Sequence, residues 1–367
     1  MTSRLHELSA RGVSVWIDSL SREMLETGEL ARLMAEDAVV GVTSNPTIFQ
    51  KALASGERYD AQLRELAAAG VDDPAELFWA LAVSDVQAAC DLLRPVWEET
   101  AGGDGYVSLE VDPTLAYDRE RTYEEAMRLH GLVERPNLLV KIPATRPGLG
   151  AIEDCIAKGR SINVTLIFSL DRYAAVAEAY VRGLERLVAA GGDPAKAHSV
   201  ASFFVSRVDT EADRRLAELG NTELQGRLAV ANAKLAYAHF QATFAGARWD
   251  YLAGKGARPQ RCLWASTSTK NPAYRDVIYV EELIGPQTVN TMPLETVTAF
   301  QDHGEVAATL TRGADEARGL LGALAAAGVG YGDVVETLEA EGVQKFADSF
   351  AELLAGIEAR RSVLAAA

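Results

Sequence analysis

Cysteine is scarce. The 367 residues hold three, Cys90, Cys155 and Cys262, far apart and without the paired spacing that a zinc site or redox motif requires. That pattern excludes a disulfide framework and fits reduced thiols in a cytoplasm. Histidine is also sparse: the five, His6, His130, His198, His239 and His303, show no metal-ligand spacing, so no metal is expected. Long apolar runs are missing too, because Glu, Arg and Gly interrupt the alanine-rich stretches at helical intervals, and no membrane partner is expected. The opening segment MTSRLHELSARGVSV carries charges where a secretory leader needs an unbroken apolar stretch, so the expected location is cytoplasmic. Basic residues are outnumbered: 36 Lys and Arg face 52 Asp and Glu, and the formal charge of −16 repels polyanions such as nucleic acid. A small phosphorylated ligand is still allowed, because a few cations at the bottom of a cleft override the mean field locally. Neither a glycine-rich dinucleotide loop nor a low-complexity linker is present.

What the chain has is apolar material, 48% of residues, in an alternating order. Short β-branched runs recur at 13–17, 39–43, 106–111, 138–142, 162–168, 199–205, 261–266 and 288–292, the last being the weakest. Between them lie amphipathic segments, most clearly at 77–100, 170–191 and 224–246, with apolar residues at three- and four-residue intervals. Eight strands in strict alternation with helices favour a closed (β/α)₈ barrel of the α/β class over an open doubly wound sheet. Two tandem helices, at about 210–219 and 222–246, give one crossover extra structure, and the stretch 305–367 reads as helices packed outside the core. The expectation is a single barrel domain over 1–367 with these helices added.

In such a barrel the chemistry sits at the carboxyl ends of the strands, and polar residues gather there. Lys141, in NLLVKIPAT, interrupts an otherwise apolar run. Burial there lowers the pKa of an amine and favours a Schiff-base nucleophile, unless the side chain snorkels out or pairs with a carboxylate. Glu110 and Asp112, in VSLEVDP, project to one face, Glu110 interrupting the strand itself and Asp112 reading as a helix cap before Pro113. Asn163 and Thr165, in SINVTLIFS, repeat that two-residue spacing with neutral donors. Asp18 and Asn45 end two further runs, each serving either the site or local structure, helix capping for Asp18 and a turn before Pro46 for Asn45. Arg207 and Lys270, with Ser202 and Ser266, follow later strands and offer donors for a phosphate, although Arg207 could instead pair with Asp209 or Asp213. An amine, carboxylates, hydroxyl-binding groups and a phosphate anchor at separate strand ends match a class I aldolase site with no cofactor.

The ordered motifs GVTSNPTIF, VSLEVDP, LLVKIPAT, INVTLIFS, ASFFVSRVD and LWASTSTKNP, over about 13–293, resemble those of transaldolases of the longer bacterial type. The resemblance implies a (β/α)₈ barrel that transfers a dihydroxyacetone unit from sedoheptulose 7-phosphate to glyceraldehyde 3-phosphate, giving erythrose 4-phosphate and fructose 6-phosphate. On the matching positions it implies that Lys141 forms the Schiff base, that Glu110 and Asp18 move protons, and that Thr165 holds the catalytic water. Asn45, Asn163 and Ser202 would bind hydroxyls of the donor fragment, and Arg207 and Ser266 the phosphate. Shorter transaldolases carry an arginine soon after the serine matched by Ser266. Here the segment reads STSTKNP, with Lys270 as the expected replacement and no bidentate fork. An aldolase releasing free dihydroxyacetone and a non-catalytic barrel that binds sugar phosphates are the alternatives. The sequence carries no reading of oligomeric state.

Overall fold

The structure, a computed structural model, describes residues 3–54 and 57–366. Its eight strands are β1 (Val13–Ile17), β2 (Val39–Val42), β3 (Tyr106–Glu110), β4 (Leu138–Pro143), β5 (Ile162–Ile167), β6 (Ser199–Phe204), β7 (Arg261–Ala265) and β8 (Thr288–Met292). All pair in parallel with their sequence neighbours, and β8 closes on β1, so the sheet is a closed barrel. Both alternating faces of most strands are buried, which is why they read as continuous apolar runs. The weakest expected strand, 288–292, is present with those bounds and pairs with both neighbours.

Register is what places the polar residues. Across β3, β4 and β5 the Cα partners are Glu110, Lys141 and Asn163, so these three share one level. One layer further along, Pro143 is opposite Thr165. Residues two apart on a strand share a face, so Lys141 with Pro143, and Asn163 with Thr165, project the same way. Just beyond Thr165 the β5–β6 register shifts, and Leu166 adopts φ +57°, an irregularity that bends the strand at the mouth of the barrel. In β2, Gly41 lies against the Trp16 indole, where a Cβ would approach to 2.5 Å.

The crossover from β6 to β7 holds three helices, Ser206–Glu218, Leu228–Thr243 and Ala247–Ala253. The first begins directly after β6, earlier than the 210–219 expected, and thereby fixes Arg207 in its first turn. The second starts at Leu228 instead of 222, because Gly220 and Gly226 turn the chain at φ +69° and +68°.

The tail departs further from expectation. Helix Ala314–Ala326 is followed by the 36-residue helix Tyr331–Ala366, which is not an external addition. Val343, Phe346, Phe350, Leu353 and Ile357, at three- and four-residue spacing, are buried in the same core as the barrel. Gly342 lets this helix close on β5, since a Cβ there would sit 3.1 Å from Leu166 Cδ2. Thr47 and Ser349 hydroxyls meet at 2.9 Å, and Gln50 Nε2 donates to Glu352 at 2.9 Å. The long helix is thereby tied to helix Pro46–Ala54, which follows β2, and lies over the carboxyl-terminal mouth.

Candidate active site

At the carboxyl ends of the strands a cavity of about 270 Å³ is lined by Asp18, Lys141, Thr165, Ser202 and Arg207, among others. The Lys141 side chain is 5% exposed and turns toward Glu110, its register partner on β3. Its Nζ lies 3.1 Å from Glu110 Oε2 and donates to the Ser44 carbonyl at 3.0 Å. Neither Glu110 oxygen makes an aligned hydrogen bond with a described residue, so the Glu110 contact is ionic. Both readings of this lysine therefore hold together: it is buried, and it is paired. Burial pushes the Glu110 carboxyl above its ordinary pKa, and the Lys141 ammonium opposes that rise. The Lys141 ammonium also faces the Phe346 ring of the long C-terminal helix, 5.9 Å from its centroid.

Asp18 lies just past β1 and faces the cavity. Its Oδ1 accepts from Thr43 Oγ1 at 2.6 Å, and Thr43 Oγ1 in turn lies 2.6 Å from Thr291 Oγ1. With the Thr43 proton directed at Asp18, Thr291 is left as the donor to Thr43. Desolvation raises the Asp18 pKa, while Lys141 and the Thr43 bond lower it. Asp18 caps no helix; Ser21 caps the next one, its hydroxyl accepting from Met24 N. Asn45 combines both expected roles, lining the cavity while its Oδ1 accepts from Ile48 N at 3.0 Å at the start of helix Pro46–Ala54.

Asn163 and Ser202 differ in placement. Asn163 is wholly buried, its Nδ2 donating to Ser108 Oγ at 3.0 Å and its Oδ1 accepting from Ser202 Oγ at 2.7 Å. Ser202 lines the cavity and Asn163 stands behind it. Thr165 also lines the cavity, and its buried hydroxyl has no hydrogen-bond partner among the described residues. Asp112 caps the short turn Pro113–Leu115, its Oδ1 accepting from Thr114 N, as its position before a proline suggests.

The mouth is basic. Arg207 makes no ion pair with Asp209 or Asp213, which are held elsewhere: Asp209 by Ala229 N and Tyr279, Asp213 by Gly226 N and Tyr274. The Arg207 guanidinium stacks over Phe204, 5.1 Å from the ring centroid, and burial lowers its pKa. Ser266, at φ +56°, turns its hydroxyl to Ser206 at 2.9 Å. Lys270 donates to Ser268 Oγ at 2.7 Å, and its pKa is lowered by burial and by Arg207, Lys345 and Lys51, against Glu295.

Sequence reasoning missed Thr43, Lys51, Glu295, Lys345 and Phe346 in this cavity. Thr43 stands inside the GVTSNPTIF motif and was within reach of that signal. Lys345 and Phe346 come from a helix whose local pattern says only that one face is buried. Among the described residues, no group of three or more His, Cys, Asp or Glu side chains gathers as metal ligands. A second cavity, of about 340 Å³, opens at the opposite end of the barrel beside Asp104, His198 and Arg261. There Arg261 is paired with Asp104, and no lysine is among the described residues that line it.

No helix among the described residues is long and apolar enough to cross a membrane. Residues 15–357 match the family model described as Transaldolase/Fructose-6-phosphate aldolase, a span that runs on through most of the C-terminal helix. The chain is 56% identical over 361 residues to a protein of Frankia alni named transaldolase, covering 97% of each. It is 55% identical over 360 residues to one of Acidothermus cellulolyticus so named, covering 97% of this chain and 96% of the relative. A transaldolase of Mycobacterium marinum is 51% identical over 366 residues, covering 98% of both. With the barrel, the buried lysine and these relatives in agreement, the chain is an enzyme that belongs to the transaldolase/fructose-6-phosphate aldolase family.

Proposed function

We propose that this barrel is a cytoplasmic transaldolase of sugar phosphates, moving a dihydroxyacetone unit from sedoheptulose 7-phosphate to glyceraldehyde 3-phosphate through a Schiff base on Lys141. The observation that carries the reading is the buried Lys141, which lines a cavity with a cationic rim and pairs with Glu110, a carboxylate that stands outside the lining of that cavity. An amine attacks a carbonyl only after losing its proton, and the Glu110 carboxylate, 3.1 Å away, is the acceptor in contact. Attack on the ketose carbonyl gives a carbinolamine, which takes up a proton and loses water to form the iminium. Glu110 and Thr165 are both buried with unspent bonding capacity, the donor and acceptor set that holds a water near the imine carbon.

Asp18 faces the cavity, where the rest of the sugar chain lies, and it is the base suited to take the hydroxyl proton of carbon 4. The bond between carbons 3 and 4 then breaks, its electron pair moves into the iminium as an enamine, and the aldose product leaves. The acceptor aldehyde adds by the reverse steps, and water releases fructose 6-phosphate. Asn45 and Ser202 hold the three-carbon fragment, with Asn163 orienting Ser202. Arg207, Ser266 and Lys270 receive the phosphate.

Borohydride reduction in the presence of fructose 6-phosphate should fix a mass increment on the peptide containing Lys141. An adduct on any other lysine would sink the assignment.

Transfer, as opposed to release of free dihydroxyacetone, requires that water be kept from the enamine until the acceptor arrives. Phe346, 3% exposed and facing Lys141, contributes that cover. Phe346→Leu keeps the helix stripe apolar, at the cost of a small cavity, but uncovers part of the lysine. Its ratio of released dihydroxyacetone to transferred product should rise several-fold in coupled assays with and without acceptor. An unchanged ratio would mean that the ring plays no part in excluding water.

A further inference from the structure

The rim of the cavity holds more positive charge than the phosphate site expected from the strands. Lys51, from helix Pro46–Ala54, and Lys345, from helix Tyr331–Ala366, line the same cavity as Arg207 and Lys270. The chain carries a net −16, and arginines elsewhere are locked to carboxylates, as in Arg22–Asp85, Arg261–Asp104 and Arg360–Asp60. Lys51, Lys345 and Arg207, by contrast, make no ion pair or hydrogen bond with any described residue. Instead they repel one another: Arg207, then burial, then Lys51 lower the Lys345 pKa, and all three cations lower that of Lys270. Glu295 is the rim carboxylate that partly offsets them. Asp18 and Glu110 act on Arg207 in the same sense, yet four cations against these carboxylates leave the rim with repulsion between like charges, and a phosphate monoester carrying about −1.5 to −2 at neutral pH relieves it.

We propose that Lys51 and Lys345 bind the substrate phosphate together with Arg207 and so determine specificity for phosphorylated sugars. The assignment rests on the transaldolase reading above and extends its phosphate site beyond the barrel strands to two helices. Those helices are fastened to each other by Thr47–Ser349 and Gln50–Glu352. A phosphate held by Arg207 and Lys345 then bridges barrel and cover, keeping Phe346, the neighbour of Lys345, over the reacting lysine. Two flexible ammonium groups also supply donors that Lys270 alone, lacking the planar fork of an arginine, does not.

The test compares acceptors. Covalent transfer makes the kinetics ping-pong, so kcat/KM for an acceptor is independent of the donor. In Lys51→Ala and Lys345→Ala, kcat/KM for glyceraldehyde 3-phosphate should fall about tenfold each, the scale of one lost charge-assisted hydrogen bond, while unphosphorylated glyceraldehyde is used as before. Lys345→Arg should restore most of the loss. The affinity for inorganic phosphate, measured by calorimetry without turnover, should fall by a similar factor in each alanine variant. Equal losses for both acceptors, no loss for either, or a loss that vanishes at high salt would overturn the assignment, the last because it marks long-range steering only. Were the wild-type enzyme to transfer to neither aldehyde, the reading of the previous subsection would fall, and the phosphate affinities would still decide the role of the two lysines.

Discussion

Lys141→Met should abolish transfer, by on the order of 10⁴-fold or more, because among the described residues Lys141 is the lysine of this cavity that a barrel strand carries, whereas Lys51, Lys270 and Lys345 come from the loops and helices around it. The same substitution should destabilise the barrel. Glu110, 2% exposed at its side chain, loses the charge that opposes its desolvation, and breaking a buried pair from one side costs about 3–5 kcal/mol. The sign with pH follows from linkage. Burial raises the folded pKa of Glu110 above its unfolded value, so the penalty is absent where both states are protonated and grows as pH rises through the interval between them. The variant should therefore lose less stability at pH 4 than at pH 8. Lys141→Met combined with Glu110→Gln should recover most of the stability at neutral pH and none of the activity. Denaturant titrations at both pH values check this, and a single variant as stable as wild type at pH 8 would show that the pair contributes nothing to the fold.

Asp18→Asn should lower kcat by roughly 10²–10⁴-fold, the range for removing a positioned general base. The fold should gain at the same time. Desolvation raises the Asp18 pKa in spite of Lys141 and the Thr43 bond, so at neutral pH the folded state bears a net cost for the ionised form. A neutral amide of the same shape escapes that cost and still accepts from Thr43. The stabilisation is expected at pH 7 and should disappear below the unfolded carboxyl pKa, about 3.9, where Asp18 is protonated in both states. Loss of activity with gain of stability is the mark of a group kept for chemistry. Calorimetric melting at the two pH values is the measurement, and a lower Tm at pH 7 would mean that the ionised carboxylate contributes more contacts than its burial costs.

The net charge says little about the site. An acidic chain can keep a locally cationic rim because fields are set by the nearest groups, and Arg207, Lys51, Lys270 and Lys345 line one cavity beside the carboxylates Asp18 and Glu295. The excess of acid speaks to solubility and to which macromolecules are repelled.

The strand positions, the barrel and the polar strand ends were legible in the amino-acid order. Alternation and β-branched composition are local signals, and a lysine or glutamate inside an apolar run stands out wherever the run ends up. Helix starts were less legible, as Ser206 and Leu228 show, because the turn glycines and strand exits that set them leave a weak pattern. Asp18, Arg207 and Lys141 each carried a structural alternative that one chain segment cannot decide.

Which groups meet was decided only by tertiary structure. The register of β3, β4 and β5 brings Glu110 beside Lys141, and the same level turns Asn163 toward Ser108 and Ser202. Docking of the C-terminal helix, about 200 residues away from Lys141 in the chain, adds Lys345 and Phe346. The physical reason is range. Periodicity and propensity are written within a few neighbouring residues, whereas pairing, desolvation and the covering of a barrel mouth depend on surfaces that come together only when the sheet has closed.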